Sequence, residues 1–111
     1  YINGDGSQTR TFFYIDDNLE VTSNILMNDL LDNETMNLGS DVEISILELA
    51  QKIVLILNSK SNIVHREALK EGDMTRRCPD ATIMKGILNR DITPLDAGII
   101  KTAKYFEEQQ T

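Results

Sequence analysis

The chain has 111 residues, 41% of them apolar, enough for one small domain with a modest core. Eighteen acidic residues against eleven basic ones give a net charge of −7, a field of the wrong sign for sequence-independent nucleic-acid binding. The single cysteine excludes an internal disulfide and fits a reducing cytoplasm. No segment reads as a signal peptide, and the longest apolar run, residues 53–57, is far too short to cross a membrane.

Residues 1–3 read as the end of a strand, followed by the turn residues Gly4-Asp5-Gly6-Ser7. Residues 11–15 are aromatic and β-branched and predict a second strand, with Gln8 and Arg10 at its start. Asp16 and Asp17 are placed to cap a helix over about residues 17–29, with Leu19, Thr22, Ile25 and Leu26 on its inner face. A polar connection follows, then a short strand over 35–39 ending in Gly39, and an extended stretch at Glu43 and Ile44.

Ser45-Ile46-Leu47-Glu48 is a capping box, with serine at the cap and glutamate three residues on. Its helix should run to about Leu57 and bury Leu47, Ala50, Ile53, Val54 and Leu57. Residues 63–67 predict a strand and residues 70–75, with Gly72, a loop. Asp80 is placed to cap a short helix whose Ile83, Met84, Ile87 and Leu88 face inward. Thr93-Pro94-Leu95-Asp96 has a threonine cap, proline at the first helical position and an acid in the first turn. The last helix carries Leu95, Ile99, Thr102, Ala103 and Phe106 on one side. The fold class is a small mixed α/β domain of about four helices and short strands.

Little in the sequence resembles catalytic machinery. His65 is the only histidine, and no local signature pairs it with a nucleophile; a strand histidine is more often structural. Cys78 reads as a passive thiol, and one histidine with one cysteine makes no standard zinc site. Gly4-Asp5-Gly6 lacks the third glycine of a dinucleotide fingerprint, because Thr9 stands there. Asp16/Asp17 and Glu107/Glu108 are adjacent, and adjacent helical residues point apart, so neither pair is a ready acid–base couple.

The polar residues at element boundaries are Gln8, Arg10, Asn37, Arg76, Arg77 and Asp80. Arg76-Arg77-Cys78-Pro79-Asp80 sets two guanidiniums beside a proline and a helix start. A guanidinium grips phosphate through two parallel hydrogen bonds, so a pair suits a diphosphate. On those five residues alone a solvated turn is the commoner reading. If the loops meet at one edge, three arginines and an amide converge on phosphate oxygens, with a carboxylate near ribose hydroxyls.

Gly4-Asp5-Gly6-Ser7-Gln8-Thr9-Arg10-Thr11-Phe12 and Tyr14-Ile15-Asp16-Asp17 carry a further signal, with Met36-Asn37-Leu38-Gly39, Ile46-Leu47-Glu48-Leu49-Ala50 and Arg76-Arg77-Cys78-Pro79-Asp80. Pro94-Leu95, Gly98 and Tyr105-Phe106 extend it. In order and spacing these resemble the C-terminal part of extended short-chain dehydrogenase/reductases, the NAD-dependent epimerase/dehydratase family. The likeness is nearest to the UDP-glucuronate decarboxylase branch, which makes UDP-xylose.

The resemblance implies an N-terminal Rossmann domain that binds NAD and carries a Tyr-x-x-x-Lys pair, closed by a smaller nucleotide-sugar-binding lobe. Only the lobe matches here. Four residues after Tyr1, Tyr14 and Tyr105 stand Asp5, Asn18 and Gln109, none of them lysine. Residues 1–111 are therefore expected to be a fragment of a longer protein, inactive alone. By resemblance Arg10 and Arg77 contact the substrate diphosphate, Asn37 approaches the same phosphates, and Asp80 lies near the ribose. Gln8 and Arg76 transfer more weakly, and Asp17 is a structural aspartate. Asn3, and Leu88-Asn89-Arg90 in place of a Gly-Trp, depart from the pattern. The expected partner is a UDP-sugar, with a homodimer left open. A 4-epimerase or 4,6-dehydratase of the same family stays a rival, as does a non-catalytic, self-associating fragment.

Overall fold

In the computed structural model, residues 1–109 are described, and among them helices and short strands alternate as expected of a mixed α/β piece. β1 (Ile2–Asn3) pairs in parallel with β4 (His65–Arg66), Ile2 opposite His65. β2 (Thr9–Thr11) pairs antiparallel with β3 (Glu43–Ser45), Thr9 opposite Ser45 and Thr11 opposite Glu43. The turn between β1 and β2 uses glycine where only glycine is unstrained: Gly6 sits at φ +78°, and a Cβ there would lie 3.0 Å from that of Leu47.

The helices are α1 (Ile15–Met27), α2 (Ile46–Ile56), α3 (Thr82–Leu88) and α4 (Leu95–Gln109). The capping box forms as the sequence requires: Glu48 donates its amide to Ser45 Oγ at 3.1 Å, and Glu48 Oε2 accepts the Ser45 amide at 3.0 Å. α1 packs on α3 and α2 on α4. The core is Val21 of α1, Ala81, and Met84 and Leu88 of α3, flanked by Phe13, Ile25, Met36, Ile87 and Ile92.

Several local expectations do not hold. The strand expected over 11–15 ends at Thr11, because β3 offers only three residues to pair with, and α1 begins at Ile15. Residues 35–39 form no strand and find no ladder partner. The strand expected over 63–67 shortens to β4. α1 is capped by neither aspartate: its N-cap is Tyr14, with no side-chain cap bond, and Asp17 points into the protein. The buried stripe of α1 runs through Asp17 and Val21, leaving Leu19 and Leu26 exposed. No residue of α2 is fully buried, and Ile83 of α3 faces outward. Asp80 lies one position before the α3 N-cap, Ala81, and its Oδ1 accepts the Thr82 amide at 2.9 Å.

Candidate functional site

Thr9 is the residue on which the candidate site is built. Opposite Ser45 on one side, it also bridges Arg76 in parallel on the other. Its amide donates to the Thr75 carbonyl at 2.9 Å, and its carbonyl accepts the Arg77 amide at 3.4 Å. Strand side chains alternate between faces, so the two neighbouring arginines are sent to opposite sides.

Arg76 goes to the face of Thr9, Thr11, Glu43 and Ser45. Its Nε lies 2.8 Å from Glu43 Oε1, and Thr9 Oγ1 donates to the same oxygen at 3.1 Å. The Arg76 guanidinium holds the Glu43 carboxyl below its usual range, and Glu43 raises Arg76 in turn. Arg76 therefore serves β3 and does not form a fork with its neighbour.

Arg10 goes to the other face. Its Nη1 donates to the Thr9 carbonyl and its Nη2 to Asp73 Oδ1, each at 2.7 Å, and its side chain is 19% exposed. Gln8 and Arg77 flank the paired residues Thr9 and Arg76, where strand alternation would direct them to this face. Gln8 Nε2 reaches back toward the Asn3 carbonyl at 3.5 Å, a weak contact. Arg77 is exposed, and among the described residues its guanidinium meets no carboxylate, only Met74 Sδ at 3.9 Å.

Asn37 and Asp80 come near through a close backbone approach. A Cβ on Gly39 would lie 3.0 Å from Pro79 Cγ, so the segment through Asn37 runs beside the one through Asp80. Both residues are exposed. Asp80 accepts the Thr82 hydroxyl at 2.6 Å and the Thr82 amide, and these bonds hold its carboxyl below the usual range. Arg77 thus follows the bridge to β2, the strand of Arg10, and the Gly39–Pro79 approach sets the segment of Asn37 beside the one that carries Asp80.

Sequence reasoning did not identify the acids that answer these arginines. Glu43 and Asp73 lie 33 and 63 residues away in the chain, and no local signal links such partners. Among the described residues, no group of three His, Cys, Asp or Glu side chains is placed to hold a metal ion. His65 is an exposed strand residue with Nδ1 2.9 Å from the Gly4 carbonyl, and Cys78 is a half-buried free thiol. The Gly4–Gly6 turn leads into β2 and not into a helix N-terminus, so these residues do not fit the pyrophosphate of a dinucleotide cofactor.

No protein-family model matches the chain. It is 34% identical over 113 residues to a UDP-N-acetyl-alpha-D-glucosaminuronate decarboxylase of Bacillus cytotoxicus, covering 96% of this chain and 35% of that protein. To UDP-glucuronic acid decarboxylase 1 of Danio rerio it is 33% identical, covering 97% and 25%. The chain thus spans about a quarter to a third of the length of these relatives. Among solved structures, the UDP-glucose 4-epimerase of Thermotoga maritima with UDP-glucose matches 99% of this chain and 35% of its own, at TM-score 0.85 and 27% identity. The UDP-glucuronic acid 4-epimerase of Bacillus cereus, in complex with UDP-glucuronic acid and NAD, matches 97% and 35%, at TM-score 0.78 and 26% identity. By sequence and by fold, this chain belongs to the NAD-dependent epimerase/dehydratase family, the extended short-chain dehydrogenase/reductases, and matches their C-terminal part.

Proposed function

We propose that residues 1–111 are the nucleotide-sugar-binding domain of an NAD-dependent UDP-glucuronate decarboxylase. The observation that carries this is Arg77, whose guanidinium meets no carboxylate among the described residues of a chain of net charge −7, one position past the bridge that joins Arg76 to the strand of Arg10. An acidic protein that leaves one guanidinium open beside another is built to take an anion locally. Its two parallel N–H groups suit a phosphate oxygen pair, the Asn37 amide can donate to the same diphosphate, and the ionised Asp80 can accept from ribose hydroxyls. Holding the diphosphate fixes the sugar against the reacting groups, and fixed orientation lowers the barrier of a step occurring elsewhere. The Gly4–Gly6 turn does not fit the pyrophosphate of NAD, and the redox chemistry is assigned to no side chain of this chain.

The decarboxylase branch is favoured by the sequence relatives, two of which are named decarboxylases of uronic-acid nucleotides. The solved structures favour the rival, since those most similar in fold include 4-epimerases. A diphosphate clamp serves both reactions equally, so it cannot choose between them. Full-length protein given UDP-glucuronate should release carbon dioxide and form UDP-xylose. Formation of the C4 epimer without loss of carbon dioxide would select the epimerase. In the same protein, Arg77→Ala should weaken UDP-sugar binding by roughly 1.5–3 kcal/mol, the scale of a charged hydrogen bond. Unchanged affinity in calorimetry rejects the clamp under either chemistry.

A further inference from the structure

Arg10 already holds an anion, and that anion is part of the chain. We propose that Asp73 is an internal counter-ion which a ligand's diphosphate displaces from Arg10, so that Asp73 sets the affinity of the site and its preference for highly charged ligands. This rests on the diphosphate reading of the Arg10–Arg77 face.

The two halves of the pair are held very differently. Arg10 lies in β2, is largely covered, and has its other terminal nitrogen fixed on the Thr9 carbonyl. Asp73 sits on the irregular loop 70–75, every residue of which is exposed. Gly72 beside it has φ +79° and no atom within 4 Å of where a Cβ would be, so the space beside that residue is open. The loop is tied back at its far end, where Thr75 accepts the Thr9 amide. Asp73 engages Arg10 through one oxygen and one nitrogen only, at 2.7 Å, and its own side chain is 44% exposed. The arginine is thus the fixed half and the aspartate the half free to leave.

A diphosphate reaching Arg77 and Arg10 meets the Asp73 carboxylate as a like charge. A bidentate, multiply charged phosphate outbids a single carboxylate oxygen for the guanidinium fork. A weakly charged anion does not. Asp73 therefore screens the site: it neutralises Arg10 when no ligand is bound and yields to a diphosphate.

The test uses calorimetry of UDP binding to the full-length protein. Asp73→Asn keeps the shape and an acceptor for Arg10 but removes the competing charge. It should tighten UDP binding by about two- to fivefold, the range set by an exposed ion pair. Glu71→Gln removes a charge from the same exposed loop, at a residue with no ion pair to Arg10, and should change affinity little. UDP binding that is unchanged or weaker in Asp73→Asn, or equally tightened in Glu71→Gln, overturns the counter-ion role while leaving the diphosphate site standing. Absence of UDP binding in every variant overturns the diphosphate reading and this proposal with it. A second readout is amide hydrogen exchange of residues 70–74, which should speed up when UDP saturates the wild-type protein. Unchanged or slowed exchange there overturns displacement even if affinity moves.

Discussion

Asp17 shows what a single side chain does once tertiary contacts override its local role. Next to Asp16 at the start of α1 it has the sequence context of a cap, yet it is fully buried. Its oxygens accept the Thr93 amide at 2.6 Å, the Thr93 hydroxyl at 2.8 Å and Arg90 Nη2 at 2.9 Å. These bonds pin α1 to the connection between α3 and α4. Burial pushes the Asp17 carboxyl up, but the Thr93 amide and the Arg90 guanidinium pull it down further, and it ends below its ordinary value. A folded-state value below the unfolded one adds stability above the unfolded value, and that stability is lost as pH falls through the folded value. Asp17→Asn should therefore cost about 1.5–3 kcal/mol at neutral pH, the scale of hydrogen bonds to a charged group. Urea melts at a series of pH values should show the gap between the two proteins narrowing below about pH 4, the unfolded value of an aspartate. A gap that stays constant into strong acid would assign the effect to shape alone.

At the scale of elements, the sequence was legible wherever the physics is local. The capping box spans four consecutive residues and needs no partner from elsewhere, so Ser45 and Glu48 form it as read. Ser45→Ala should cost about 1 kcal/mol in a denaturant melt, because it strips the acceptor from the Glu48 amide at the head of α2. A loss near zero would mean that β3, which contains Ser45, carries that helix start without the cap. Thr93 marks the limit of this legibility. It stands in a good cap context, and its hydroxyl also donates to the buried Asp17, 76 residues away, a bond that no local pattern announces. Residues 11–15 have strand composition, which says only that they suit a half-buried pleated surface. Whether they pair depends on β3, and Phe13 goes to the core instead. The same division runs through the site. That Arg76 and Arg77 matter was readable from their chemistry and position. That they part to opposite faces was not, because the bridge to Thr9 that splits them is a long-range pairing.

The whole molecule is more open than its length requires. Its radius of gyration is 16.5 Å and it measures 47 × 38 × 21 Å, whereas a self-contained chain of this length would have a radius of about 13 Å. A plate this thin can bury few side chains completely, and among the described residues the buried apolar side chains are Ile2, Val21, Ala81, Met84 and Leu88. Leu55 is 80% exposed and Leu26 73%, and α2, despite its apolar stripe, has no fully buried residue. An apolar groove of about 430 Å³ between α2 and α4 is lined by Phe12, Leu49, Ile53, Leu57, Ile99 and Phe106. Exposed apolar surface on this scale favours contact with other apolar surface. Residues 1–111 expressed alone should therefore bind a hydrophobic dye and sediment with a mass that rises with concentration. If a Rossmann domain packs on this lobe, as the proposed function requires, the two together should bind far less dye per lobe. A dye-silent, strictly monomeric isolated chain with a steep denaturant transition would mean instead that these few buried side chains suffice, and that the thin plate is an autonomous fold.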